Sequence, residues 1–425
     1  MNLRKSHDFL AVFLLLAFTL PCRADVLFVN AEGTGEYPTI QAAVDAAVDE
    51  DEVHLSDGVY QGDGNYEIDF RGKAIAVRSE SMDPYKTIIL VDAYDFIRRA
   101  FILNSSEGSP SIQGLLITGG WVEDAPPDIG VVSCSSASPS ITDCVFANNR
   151  GTSIGSNGGS PTITRCLFED NSSRGQGSCV YSSGPYMILD CTFRRNHSSG
   201  SGGAVYGPGS IAHCRFEENS SSNLGGAVWG ASSIEYSLFD TNNAGLGGAL
   251  ATLGPLTCNH CLFNNNYAIL GGAVLIDSGG NCSIANSTLV RNHGFADGET
   301  IQVSSYAYLN LTNAIVGFGQ GKAGEFASSI FLEGGSSADL SCVDIFGNAA
   351  GDWEGAIENQ LGYNGNISVD PLFCDLDSGN YDINATSLCA PAHSNGCGLI
   401  GLYDVGCEPS SVEAKSWGRI KGMYR

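Results

Sequence analysis

Ile163-Thr-Arg-Cys166-Leu-Phe168-Glu-Asp-Asn171 returns 25 residues later as Ile188-Leu-Asp-Cys191-Thr-Phe193-Arg-Arg-Asn196. Four more copies run from Ile141 to Asn149, Ile211 to Asn219, Ile234 to Asn242 (with Ser237 in the cysteine place) and Cys258 to Asn266. Their phenylalanines, Phe146, Phe168, Phe193, Phe216, Phe239 and Phe263, stand 22, 25, 23, 23 and 24 residues apart. A degenerate seventh copy follows at Ile284, Ser287, Leu289 and Asn292, with fainter ones at Leu311–Ile315 and Leu340–Phe346.

Cysteine and phenylalanine, two apart, point to one side of a strand. Each strand is short and bounded by glycine, serine or asparagine. One such strand cannot bury its apolar face alone. Stacking equivalent strands at ~4.8 Å puts like on like in columns. Isoleucine and cysteine are three apart, so they have opposite parity and a bend must lie between them. After each asparagine comes a glycine turn and an apolar piece: Gly202-Gly-Ala-Val205, Gly225-Gly-Ala-Val228, Gly247-Gly-Ala-Leu250, Gly271-Gly-Ala-Val274 and the variant Gly177-Ser-Cys-Val180. The period excludes helical repeats, and the leucine spacing of leucine-rich repeats is missing. The expected fold is all-β, a single-stranded right-handed parallel β-helix solenoid of about 10–12 coils.

Outward from the repeats, Thr39 to Ala47 carries Ile40, Ala43, Val44 and Ala47 at helical spacing. This predicts a short N-terminal capping helix over the open end of the first coil. Val53-His-Leu55 and Gly58-Val-Tyr60 read as strands. The far end is irregular and cysteine-rich. Cys374, Cys389, Cys397 and Cys407 suggest two disulfides, with three pairings open. Zinc is the competing reading, though no CxxC or histidine pair supports it. Cys144, Cys166, Cys191, Cys214 and Cys261 share one column and read as buried free thiols.

Arg4 and Lys5 precede an apolar run from Phe9 to Leu20, and Cys22-Arg-Ala24 puts small residues three and one before a cut after Ala24. This is the pattern of a signal peptide cut after Ala24. The resulting segments are 1–24 signal peptide, 25–110 cap and first coils, 111–350 repeats, 351–408 C-terminal coils and disulfide-rich end, and 409–425 a basic tail. The formal charge is −25, and loss of Arg4, Lys5, Arg23 and Asp8 would leave −27. Such a field repels polyanions and disfavours nucleic acid as a partner. Trp417, Ile420 and Tyr424 interleave with basic residues in the tail, which suggests outer-surface anchoring against the plainer reading of a loose end.

The Phe-x-x-Asn repeats between Phe146 and Asn266, joined by the Gly-Gly-Ala pieces, resemble those of the chlamydial polymorphic outer membrane proteins. That resemblance implies an extracellular, adhesive passenger. The segment Gly35-Glu-Tyr-Pro-Thr-Ile-Gln-Ala-Ala-Val44 resembles the start of pectate-lyase-like and pectinesterase-like β-helices. Asp370-Pro-Leu-Phe-Cys374 and Cys397-Gly-Leu-Ile-Gly401 resemble the ends of secreted bacterial β-helix proteins. These likenesses imply fold, and a fold carries no chemistry by itself.

Enzyme motifs are fragmentary. Asp95-Phe-Ile97, Asn292-His-Gly294 and Arg419-Ile-Lys421 each match one element of a pectinesterase-like or polygalacturonase-like site, without the partners that acid–base chemistry needs. Arg194 and Arg195 are flanked one coil away by Glu169, Asp170, Glu217 and Glu218, which reads as ordinary cross-coil pairing. His213 and His260 share an outward column with Tyr236 between them, at ~9.6 Å, too far for one metal ion. No cofactor is identified. Asp49-Glu-Asp-Glu52 is a candidate calcium ligand set beside its reading as a solvated turn. Nine Asn-x-Ser/Thr sequons occur, but Asn171, Asn196 and Asn219 fall in the repeat's asparagine column. The strongest binding signal is aromatic. If Val180, Val205 and Val228 point inward, then Tyr181, Tyr206 and Trp229 form an outward column. The expected function is a secreted or cell-surface scaffold that binds a polysaccharide or a surface protein. The alternatives are a polysaccharide lyase or glycoside hydrolase, and a purely structural surface protein.

Overall fold

A computed structural model describes residues 24–92, 97–104, 108–296, 298–321 and 328–407. The expected basic tail and nearly all of the signal peptide lie outside the described residues.

Each repeat makes one coil of a parallel β-solenoid of about 14 turns. Ile141, Ile163, Ile188, Ile211 and Ile234 pair in register and run on through Cys258, Ile284, Leu311 and Leu340. The six phenylalanines form the next column, all fully buried. Their rings stack at 4.7–4.9 Å with interplanar angles of 4–6°. These two columns belong to a 23-stranded sheet, and the post-glycine pieces build a second sheet of 11 strands. The faint copies lie inside the ten-residue strands Tyr308–Gly317 and Ser337–Phe346, with Leu311 and Leu340 in the first column; the phenylalanine column continues through Leu289, Val316 and Ile345, one residue away from the expected Ile315 and Phe346. The count is slightly above the expected 10–12, and the first coils, before residue 111, follow the same stacking without the sequence figure. Val53, Val77 and Ile112, for instance, pair in order.

The bend between isoleucine and cysteine is a single left-handed residue. Asp143, Arg165, Asp190, His213, Tyr236 and His260 have φ of 48–55°. A second left-handed corner follows each phenylalanine, at Asn148, Asp170, Arg195, Glu218, Thr241 and Asn265, with φ of 51–58°. Non-glycine residues accept this cost because the corner N–H groups donate to the next coil, as from Asp143 to the Thr164 carbonyl at 3.1 Å.

The asparagines form a buried ladder. Asn171 Nδ2 donates to the Phe146 carbonyl at 2.9 Å and to Asn196 Oδ1 at 3.0 Å, and the Asn171 backbone N–H donates to the same Oδ1 at 3.1 Å. The pattern repeats from Asn149 through Asn292. Every member is satisfied away from water, so Asn171, Asn196 and Asn219 cannot carry glycans in the folded chain.

The second glycine of each Gly-Gly pair is sterically required. A Cβ at Gly203, Gly226, Gly248 or Gly272 would lie 1.9, 2.0, 2.0 or 2.5 Å from the carbonyl oxygen of the equivalent residue one coil on. Gly226→Ala is therefore expected to destabilise by about 1–3 kcal/mol, read as a lowered urea midpoint. Glu299 occupies this place where the glycine series ends. Its buried carboxylate accepts the Gly321 and Ala350 N–H groups.

The helix spans Ile40–Ala46, with the Thr39 hydroxyl accepting the Ala42 N–H as its N-cap. Ile40, Ala43, Val44 and Ala47 are buried, as the spacing requires.

At the other end, residues 371–407 fold back over the outer face of the large sheet as a strap. Phe373–Asp375, Asn380–Asn384 and Val405–Cys407 form a small sheet of their own. The disulfides are Cys342–Cys397 and Cys374–Cys407. This corrects the expected set, since Cys389 is a buried free thiol and Cys342 takes its place. Cys342 sits at a left-handed corner with φ 55°, continuing the column of Asp143 to His260, which turns its side chain outward to the strap. The repeat cysteines Cys144, Cys166, Cys191, Cys214 and Cys261 are buried and unbonded.

Candidate binding face

Val180, Val205 and Val228 are fully buried, and Tyr181, Tyr206 and Trp229 point outward in register. All three are half-buried. Tyr181 and Tyr206 stack at 5.2 Å and 7°, and Tyr206 and Trp229 at 4.4 Å and 8°. The rings thus spend their faces on one another and present their edges outward. Gly155 precedes this column and Ala251 follows it. A Cβ on Gly155 would meet the Asp128 carbonyl at 2.7 Å, so backbone already covers that end. At the other end the small Ala251 is the next residue of the column, so Trp229 stacks on an aromatic ring on its Tyr206 side alone. A Cβ on Gly177 would lie 3.0 Å from the Tyr206 Cβ, so the glycine turn runs along the base of the column. Burial raises the Tyr206 hydroxyl pKa, with the Tyr181 charge adding to the rise and a Gln176 hydrogen bond opposing it. Trp229 Nε1 is buried with no hydrogen-bond partner. Such orphan donors are uncommon in folded chains.

Charged residues along the large sheet pair mostly across coils. Arg194 bonds Glu169, Arg195 bonds Asp170 at 2.7 Å and Arg165 bonds Asp143 at 2.7 Å, while Arg215 bonds Glu217 two residues along its own strand at 2.5 Å. All are partly exposed pairs, with little stability at stake. His213, Tyr236 and His260 stack in sequence at 5.0 and 4.7 Å, which keeps the two imidazoles apart. Asn292 belongs to the buried ladder, and His293–Gly294 is a strand paired with Tyr267–Ala268, so that trio is structural. Asp95 and Phe96, and Arg419-Ile-Lys421, lie outside the described residues.

The acidic run at the N-terminal turn holds backbone. Asp49 accepts the Ala74 N–H at 2.8 Å, and Asp51 accepts Asp25 and Val48 N–H groups at 2.8 Å each. Among the described residues no group of three or more His, Cys, Asp or Glu side chains is placed to hold a metal ion. No helix of the described residues is long and apolar enough to cross a membrane.

Two carboxyl groups escaped the sequence reading. Asp240 stands in register with Glu217, and Asn264 Nδ2 donates to it at 2.7 Å. Tyr381 of the strap in turn donates to Asn264 Oδ1 at 2.7 Å. Burial raises the Asp240 pKa, and the Glu217 charge adds to the rise. Asp344 lies under the strap. It accepts the Val369 N–H at 3.0 Å and the Cys389 thiol at 3.2 Å, and burial raises its pKa to about 7. No local signal marks Asp344, because the residues that bury it come from the strap.

Asp344 has a consequence for stability. Its folded pKa of about 7 exceeds the ordinary 3.8, so the folded chain holds a proton that the unfolded chain releases. Stability falls as pH rises from near 4 to near 7. Each unit is worth about 1.4 kcal/mol, but a carboxamide N–H would face the weak acceptor Cys389. Asp344→Asn is therefore expected to stabilise by about 2 kcal/mol at pH 8 and by almost nothing at pH 4, measured by denaturation at both values.

No curated protein matches the sequence significantly. Solved structures with a similar chain path include pectate lyase Pel9A, at 14% identity over 90% of this chain and 96% of that one, with a TM-score of 0.45. The PL6 family alginate lyase AlyGC is 13% identical over 90% of this chain and 57% of its own, with a TM-score of 0.47. XylC in complex with xylose is 10% identical over 82% and 87%, with a TM-score of 0.47. At these identities and scores nothing of their chemistry transfers. The sequence model described as the right handed beta helix region matches residues 101–289, the stretch that contains the six repeats.

Proposed function

We propose that this chain is a secreted or cell-surface β-helix scaffold that binds a carbohydrate or a surface protein along its aromatic column. The observation that carries the reading is the outward, half-buried row Tyr181, Tyr206 and Trp229, stacked in register on three successive coils. With ring faces stacked on each other, recognition falls to ring edges and the two tyrosine hydroxyls. Extracellular placement follows from the signal-peptide pattern, and the basic tail suits surface anchoring. Calcium remains a candidate cofactor through the acidic surface.

The test is a glycan array probed with the full chain, Tyr206→Ala and Trp229→Ala. Trp229→Ala is expected to weaken binding about tenfold to a hundredfold, in line with loss of an aromatic anchor from the row. Binding that is unchanged in both variants would remove the aromatic column from the account.

A glycoside hydrolase or lyase is the second reading, favoured by one observation. Glu217 and Asp240 are in register on adjacent strands, and Arg215 bonds Glu217 while burial raises the Asp240 pKa. Divergent environments of this kind separate an acid from a charged partner. Reducing-sugar release from a polysaccharide panel, lost in Asp240→Asn, would support it.

A further inference from the structure

We propose that residues 371–407 are a redox-gated strap over a strip of the outer sheet face, a device that operates independently of the binding role above. The outward column through Leu167, Thr192 and Arg215 is half-exposed. One coil further on the same column reaches Leu238 and then Leu262, which are buried. The strap covers this stretch. Phe373, Leu376, Leu402 and Tyr403 pack around Leu238, Leu262, Val290 and Tyr381. The Leu402 N–H donates to Thr288 Oγ1 at 3.0 Å, the Gly401 N–H to the Asn313 carbonyl at 3.0 Å, and Arg291 pairs with Asp377 at 2.6 Å.

This cover has little core of its own. Its apolar contacts form two small clusters separate from the continuous solenoid core. Segments this short seldom hold their fold without cross-links. Both disulfides are here. Cys342–Cys397 staples the strap to the solenoid and Cys374–Cys407 closes the strap on itself. All four bonded cysteines are only half-buried, whereas every free cysteine among the described residues is buried. A soluble dithiol therefore meets the strap's sulfurs first. Its thiolate attacks one cysteine sulfur, and its second thiol displaces the mixed disulfide. Two electrons and two protons pass to each cysteine pair, and the dithiol leaves as a cyclic disulfide. The strap then loses its staples and uncovers the Leu238–Leu262 strip, while the thiol column inside the solenoid is unchanged.

The experiment is hydrogen exchange on the full chain with and without dithiothreitol, with reduction verified by mass. Gly401 and Leu402 amides are expected to exchange about a hundredfold faster after reduction. The ladder amides of Asn171 and Asn196 should keep their protection. Cys342→Ser combined with Cys397→Ser should partly reproduce the effect without reductant. If that variant does not fold, the reduced wild-type chain still decides. Complete reduction with Gly401 and Leu402 protection unchanged would overturn the proposal. So would an equal loss of protection in the ladder, since the strap would then not open by itself.

Discussion

Asn196→Ala is expected to lower the unfolding free energy by about 4 kcal/mol, although it removes only a carboxamide. Asn196 Oδ1 accepts both the Asn171 backbone N–H at 3.1 Å and Asn171 Nδ2 at 3.0 Å. Its own Nδ2 donates to the Phe168 carbonyl at 3.0 Å and to Asn219 Oδ1 at 2.9 Å. Alanine leaves the Asn171 backbone N–H without its acceptor in a fully buried site and takes one bond each from Asn171 Nδ2 and the Phe168 carbonyl. A buried orphan costs about 1–3 kcal/mol, and the lost bonds and the emptied space add to the sum. Asn196→Asp keeps the acceptor and loses both donations, while it places a carboxylate where water cannot reach. It should be no better than alanine at neutral pH. Urea denaturation of the three proteins, followed by far-UV circular dichroism, gives the comparison.

Phe216→Ala is expected to cost about 3–5 kcal/mol. Phe216 is fully buried, with Phe193 at 4.7 Å on one face and Phe239 at 4.9 Å on the other. The substitution removes two ring contacts and opens a gap that the strands cannot close, because their spacing is set by hydrogen bonds to the coils on both sides. Phe216→Leu should recover more than half of the loss by refilling the volume. In a solenoid each coil meets only its neighbours, so the defect sits mid-array and splits the cooperative unit. The urea transition should broaden as well as shift.

What the sequence makes legible follows from the same physics. Isoleucine, phenylalanine and asparagine recur at one period because each must lie on its own kind one coil away, so the columns can be read directly from spacing. The bend between Ile141 and Cys144 is legible as a parity conflict. Its means is not, because Arg165, Tyr236 and Thr241 are poor indicators of a left-handed corner and adopt it only under the hydrogen bonds of adjacent coils. The outward parity of Tyr181, Tyr206 and Trp229 is legible from the alternation after the glycine turn. That their faces would be consumed by mutual stacking depends on side-chain rotamers along the stack. The strap was the least readable part. Cys342 bonds to Cys397 across 55 residues, and Asp344 is buried by chain far from it in sequence. Nearness in sequence pointed to Cys389 instead.

All of this rests on the repeats being successive coils in strict register. Spin labels at Asn148 and Asn265, two exposed left-handed corners five coils apart, measure that by electron–electron double resonance. Five steps of ~4.8 Å place the backbones ~24 Å apart, and a single narrow distribution near that value is the predicted result. A distribution centred well beyond it, or one with several separate peaks, would contradict the stacked solenoid.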